Sequence, residues 1–226
     1  MSQTFVRFLS LLLTVPFTMT LWGGESKDDE TFRKSVAVLQ EAFTKQDVAQ
    51  NLANARCILI LPEVKKFGIG IGGSGGRGPM ACRQGKNFDG PWSAPAFYSV
   101  SGASVGLQVG GSSTDFVLLV MNQKGVDALL KGKTKLGRDA SVAAGSSGAT
   151  ASSVGDDILS YGKTSGLFAG ASLGDATIEP DQSGNQRLYG KPTTPSEVLF
   201  NREVQTPPAA EPLISLLNSK VRKHKN

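Results

Sequence analysis

One histidine and two cysteines among 226 residues leave this chain little material for metal or thiol chemistry. The histidine, His224, sits in a basic C-terminal tail, where it cannot serve a serine nucleophile in a folded body. A usual zinc site needs more His and Cys ligands than the chain holds. No metal site, cofactor or catalytic residue is expected. Aromatic residues make up only 7%, so the core has to rest mainly on Val, Ile, Leu and Ala. Net charge is missing from the body as well. Arg7, Lys220, Arg222, Lys223 and Lys225 carry the whole formal excess of +5, and Glu25–Ser219 is neutral. Nucleic acid requires a basic face on the folded domain, so no nucleic-acid partner is expected.

Long apolar runs are also missing. Phe8–Trp22 is mostly apolar, but it is broken by Pro16 and is shorter than the ~20 residues that span a bilayer. With Arg7 ahead of it, the segment reads as an export signal over residues 1–24. The expected organisation is that signal, one domain over 25–219 and a basic tail over 220–226. The expected location is periplasmic or secreted, or membrane-associated where the signal stays uncleaved. In an oxidising compartment Cys57 and Cys82, 25 positions apart, either form a disulfide between neighbouring strands or remain two buried thiols. The sequence leaves both open.

Phe32, Val36, Leu39 and Phe43 recur at helical spacing and predict an amphipathic helix over about Asp29–Thr44. A short second helix, capped by Asp47, follows. From Arg56 the pattern becomes that of strands: the continuous apolar run Cys57–Leu61, a turn at Pro62–Phe67, then Phe67–Gly72, Pro79–Arg83, Ala96–Val100, Ser104–Gly111 and Phe116–Met121. A single helix is expected over Asn122–Lys131. Further short strands follow, with a Gly/Ser/Ala loop at Gly145–Gly155 between them. Pro195–Phe200 and Pro208–Val221 read as helices. The fold class is α+β: an antiparallel β-barrel or sandwich of short Gly-rich strands, with N-terminal and C-terminal helices.

The 27 glycines are not scattered. Gly68-Ile-Gly-Ile-Gly72-Gly-Ser74, Gly106-Leu-Gln-Val-Gly110-Gly-Ser112 and Gly166-Leu-Phe-Ala-Gly170-Ala-Ser172 share Gly at i and i+4 and Ser at i+6, with Arg77, Asp115 and Asp175 at i+9. On a strand, i and i+4 face the same way, so each segment offers two sites where a sheet bends sharply or another backbone approaches closely. One corner per hairpin is the expected use. The same glycines mimic other motifs. Gly68-x-Gly70-x-x-Gly73 fits a dinucleotide fingerprint, but Ser74–Pro79 cannot open the helix that motif requires. Gly72-x-Ser74-x-Gly76 fits a nucleophile elbow that has no base.

The run Ala55-Arg-Cys-Ile-Leu-Ile-Leu-Pro-Glu-Val-Lys-Lys-Phe-Gly-Ile-Gly-Ile-Gly-Gly73 resembles the opening of the SYLF domain, a lipid-binding family of bacteria and eukaryotes. Gly90–Phe97, Ser104–Gly110, Val117–Asn122, Ser165–Gly170 and Tyr189-Gly190 fit in the same order. Arg77-Gly-Pro79, Ala81-Cys82 and the basic tail depart from the family pattern. The resemblance implies a non-enzymatic phospholipid-binding module, here acting at the cell envelope; the alternative is a structural or protein-interaction module there. Some eukaryotic members bind actin and phosphoinositides; for an exported chain actin is expected to be an unlikely partner, and no protein partner is identified. Because no fixed site travels with the family, the candidates come from residue type. Lys65, Lys66, Arg77 and Lys163 are candidate contacts for a lipid head group. Trp92, between Pro91 and Pro95, is a candidate for the membrane interface.

Overall fold

The computed structural model describes residues 25–136, 142–143, 152–154, 157–164, 167–170, 173 and 176–220. Residues 1–24, expected as an export signal, Asp156, Gly166 and Ser172 of the third glycine segment, most of the Gly145–Gly155 loop and tail residues 221–226 lie outside them. Two helices lead: α1 (Lys27–Ala42) and α2 (Gln46–Asn54). Ser26 opens α1 with a capping box, accepting from the Asp29 amide while the Asp29 carboxylate accepts from its own. Asp47, expected to cap α2, instead lies in its first turn, and Lys45 holds the cap position without a side-chain bond.

The strands differ from the sequence reading in length. The segments expected as separate strands fuse into β1 (Cys57–Cys82) and β2 (Ala96–Val120). They pair antiparallel from Cys57↔Val120 to Met80↔Ala96. Pro62–Phe67 is therefore not a turn. It carries an irregularity between Leu61 and Val64, where Glu63 takes a left-handed φ of 52° and donates its backbone N–H to Asp115 Oδ1 at 2.9 Å. After β2 come α3 (Gln123–Leu130), β3 (Thr134–Lys135), β4 (Val142–Ala143), β5 (Ser152–Val154), β6 (Ile158–Thr164), β7 (Leu167–Gly170) and β8 (Thr177–Pro180). Then follow α4 (Gln182–Tyr189), α5 (Pro195–Leu199), a 3-10 turn at Pro208–Ala210 and α6 (Glu211–Lys220). The hydrogen-bonded path runs β3-β8-β2-β6-β5-β4, with β1 on β2 and β7 on β6, all antiparallel. The architecture is α+β, with one curled antiparallel sheet and helices around it.

The paired ribbon of β1 and β2 doubles back on itself. Cys57 and Cys82, at opposite ends of β1, are joined by a disulfide. The Arg83 amide donates to the Arg56 carbonyl at 2.8 Å, just outside that bond. Between the two halves a Cβ on Gly78 would lie 1.7 Å from the Ile60 carbonyl oxygen, so only glycine allows this approach. The bend lies where the glycine segments meet. Gly68 stands opposite Gly110, and Gly70 opposite Gly106, with a register shift between them. The first two copies of the repeat are thus the two strands of a single bend, not separate hairpin corners.

The doubled ribbon explains the continuous apolar run at Cys57–Leu61, because both faces of the sheet are covered. Leu59, Leu61 and Val64 share the inner cluster with Tyr98, Phe116, Leu118, Val126 and Leu129 of α3, and Val198 and Leu199 of α5. Ile58, Ile60, Val117 and Leu119 face outward, beneath Phe32 and Leu39 of α1, Val48 and Leu52 of α2, and Leu213 and Leu217 of α6. The rings of Phe32 and Phe97 lie 5.0 Å apart across that layer.

Candidate functional site

Helix α1 crosses the outer face of the sheet and is tied down along its length by charged pairs. At its N-terminus Asp28 meets Arg77 of β1; midway Lys34 bridges Glu30 at 2.7 Å and Glu63 at 2.8 Å; near its C-terminus Glu41 accepts from Lys163 of β6 at 2.7 Å. The hydrogen bond to Glu30, then that to Glu63, holds the Lys34 ammonium above the usual lysine range. The bond to Glu41 does the same for Lys163. These contacts separate the four candidate head-group residues into two kinds.

Arg77 and Lys163 are occupied. The Arg77 guanidinium lies 4.3 Å from the centre of the Phe97 ring, pairs with Asp28 and reaches Asp181 at 3.7 Å. Arg187 of α4 approaches the same Asp28 at 3.4 Å. Arg77 therefore joins α1, β1 and the N-cap of α4. We expect Arg77→Met to lower stability by ~2 kcal/mol, between the values for exposed and buried pairs, because Asp28 and Asp181 lose their shared cation in a half-buried setting. A shift of the urea midpoint at constant slope would register it.

Lys65 and Lys66 lie elsewhere. They precede the bend, opposite Ser113 and Ser112, and neither forms an ion pair among the described residues. Lys65 is exposed and stands at the rim of a cleft of about 310 Å³ between α1 and β1, with Lys27, Thr31, Lys34, Glu63 and Arg77 around it. Phe67, two residues on, is the exposed large hydrophobic side chain among the described residues, at 64%. Its ring covers Gly73, where an added Cβ would lie 3.1 Å from Cζ. Sequence reasoning took Phe67 as a strand residue and missed its exposure. The signal was its place between two lysines and the first glycine.

Trp92, the candidate for the membrane interface, is buried within the fold. It is 5% exposed, with the Arg83 guanidinium 4.8 Å from its ring centre, and its backbone N–H donates to Asn218 Oδ1 of α6 at 3.0 Å. It anchors the Pro91–Pro95 segment beneath the C-terminal helix, because an apolar ring between two prolines is worth more in the core than in water.

A second, larger cleft of about 1030 Å³ opens on another side. Leu130–Lys133, Glu179–Ser183 and Pro192–Pro195 contribute to its walls. Among the described residues no group of His, Cys, Asp and Glu is arranged to hold a metal ion. The buried Tyr98 and the partly buried Tyr189 have their phenols pushed upward by burial and donate to the carbonyls of Leu129 and Pro95. These are structural contacts. No helix among the described residues is long and apolar enough to cross a membrane.

Comparison with known proteins places this architecture. Residues 101–220, more than half the chain, match the family described as "Ysc84: Las17-binding protein actin regulator". Protein YSC84 of Saccharomyces cerevisiae is 35% identical over 170 residues, covering 72% of this chain and 36% of that protein. LAS seventeen-binding protein 3 of the same species is 32% identical over 170 residues, again covering 72% and 36%. SH3 domain-containing YSC84-like protein 1 of Homo sapiens is 31% identical over 186 residues, covering 79% of this chain and 52% of that protein. The chain spans from about a third to about half the length of these relatives. No solved structure matches it. The expectation that actin is an unlikely partner is overturned, because the family is described as an actin regulator and its members are named for binding Las17. That expectation rested on compartment alone, and a compartment does not alter the chemistry of a binding surface. By the extent of the match and the order of the shared segments, this chain belongs to the Ysc84 (SYLF) domain family.

Proposed function

We propose that the chain is a non-catalytic binding module whose ligand is an anionic phospholipid surface, met by the bend of the ribbon. The observation that supports this reading is the division among the candidate cations: Arg77 and Lys163 are used within the fold, while Lys65 and Lys66 stand without ion pairs among the described residues. A lysine pair at a projecting edge is attracted to acidic lipid by roughly 1 kcal/mol per charge, and the attraction is screened by salt. Export to an oxidising compartment belongs to the same reading, and the Cys57–Cys82 disulfide supports it.

Co-sedimentation with vesicles of neutral and of acidic phospholipid tests the proposal. The chain should pellet with acidic vesicles at low salt and be released as salt rises. Lys65→Glu with Lys66→Glu should weaken binding by at least about tenfold, given the charge effect above. Equal binding to both vesicle types, or none to either, would count against it.

A protein partner of the actin-regulating kind is the second reading. It is favoured by the family match over residues 101–220, which takes in nearly all of the walls of the larger cleft. Sedimentation with filamentous actin, unaffected by the Lys65/Lys66 charge reversal, would select it.

A further inference from the structure

We propose that Phe67 is the residue that enters the bilayer, as an apolar wedge between acidic head groups. The inference rests on the lipid reading above and adds to it a depth and an orientation. Its ground is the local chemistry of one strand segment. Lys65 and Phe67 lie two positions apart on β1 and share a strand face, with Lys66 on the other. The phenyl ring is 64% exposed, whereas the other phenylalanines of the doubled ribbon, Phe97 and Phe116, are buried.

Folding gains nothing from leaving a phenylalanine in water, and a lone exposed aromatic needs no explanation by itself. Three surrounding facts give this one a direction. Phe67 stands opposite Gly111, and the residues facing one another beyond it, Gly68 with Gly110, are glycines, so no side chain on either strand hides the ring at those positions. Gly73 lies beneath the ring, and an added Cβ there would press on it at 3.1 Å, so the ring is seated outward on a floor of backbone. Lys65 and Lys66 adjoin it on the chain. The cleft that Lys65 shares with Lys27 lies between α1 and β1.

An aromatic ring beside lysines, with the charges on long flexible stems, matches the two-layered chemistry of a membrane surface: the ring at the level of the acyl boundary, the ammonium groups among phosphates. A protein partner fits less well, since lysine is depleted at the centres of protein interfaces. The occupant of this surface is therefore an acidic bilayer. Lys65 and Lys27 contact head-group phosphate while Phe67 is immersed. Helix α1 is held on the sheet by its pairs to Arg77, Glu63 and Lys163, with Lys27 at its N-terminus on the same cleft as Lys65.

The test uses the full chain with vesicles of phosphatidylcholine and phosphatidylserine, with and without bromine on the acyl chains. In Phe67→Trp, the emission remaining after subtraction of the wild-type spectrum should shift to the blue on vesicle addition, and the brominated chains should quench it. Phe67→Ser should partition into the same vesicles about tenfold more weakly, since the apolar area of the ring is then no longer removed from water. Its thermal midpoint should stay near that of the wild type, because the ring is mostly in water. Vesicle binding with no blue shift, no quenching and full affinity in Phe67→Ser would overturn the wedge and leave the lipid reading standing. Absence of wild-type binding to any vesicle would overturn both.

Discussion

Gly78→Ala should unfold a large fraction of the protein, while Gly75→Ala, three residues away on the same strand, should be nearly silent. The contrast comes from the fold-back of the β1–β2 ribbon. At Gly78 a methyl group would fall 1.7 Å from the Ile60 carbonyl oxygen and 2.8 Å from its carbon, and both are backbone atoms that cannot rotate away. At Gly75 the nearest atom to a new Cβ is the Val100 carbonyl oxygen, at 3.9 Å, an ordinary contact. Overpacking costs about 1–3 kcal/mol where side chains can adjust, and it belongs at or above the top of that range where strands must separate. A loss of ~3 kcal/mol or more is expected for Gly78→Ala in urea denaturation, against less than ~0.5 kcal/mol for Gly75→Ala. Equal, small effects at both positions would show that the two halves of β1 do not approach as described.

Removing the disulfide is the second large change. Cys57 and Cys82 enclose a separation of 25 residues, and the chain-entropy model assigns such a loop about 3.5 kcal/mol of stabilisation through the unfolded state. Both sulfurs lie in fully buried residues, so a Cys57→Ala, Cys82→Ala double variant also leaves a small void. The double variant should have its urea midpoint lowered by an amount matching a loss of ~3–4 kcal/mol. Reductant should change the unfolding of the wild type and leave that of the double variant unchanged. A wild type indifferent to reductant after full unfolding would show that the bond does not form. Gly78→Ala and the double variant act on the same closure, so their combined cost should differ from the sum.

Local signals in the chain were read with fair success where a side chain carries its own preference. The apolar spacing of Phe32, Val36 and Leu39 gave α1 to within two residues at each end. Asn122 marked the start of α3. Helix α4 was missed, although Asp181 caps it and Gly190 closes it with a φ of 68°; its Gln, Ser, Gly and Asn content hides a helical stripe. The long strands were cut into pieces for a different reason. Gly and Pro ordinarily end strands, so Pro62 was read as opening a turn and the Gly73–Gly78 stretch as a break between the strands Phe67–Gly72 and Pro79–Arg83. Within a ribbon bent over its own face they serve the bend and the close approach, a property of two strands together that neither segment declares alone. The candidate site was legible as residue types only. Which lysines remain available, and which of the positive side chains are spent on α1, depends on partners 29 to 159 positions distant, as in Lys34 with Glu63 and Arg187 with Asp28.

A ribbon clipped at its ends and bent at its middle divides its tolerance of change unevenly. Around the clip, Cys57 is bonded to Cys82 and Gly78 lies against the Ile60 backbone, and a new side chain at Gly78 would have to be accommodated by moving backbone. Beside the bend, Lys65 and Phe67 are exposed and lie far along the strand from the clip, and exchanging them is expected to have little effect on folding. On the proposed lipid reading, selection can retune what this domain meets by altering a few residues beside the first glycines, while the clipped end is inherited almost intact.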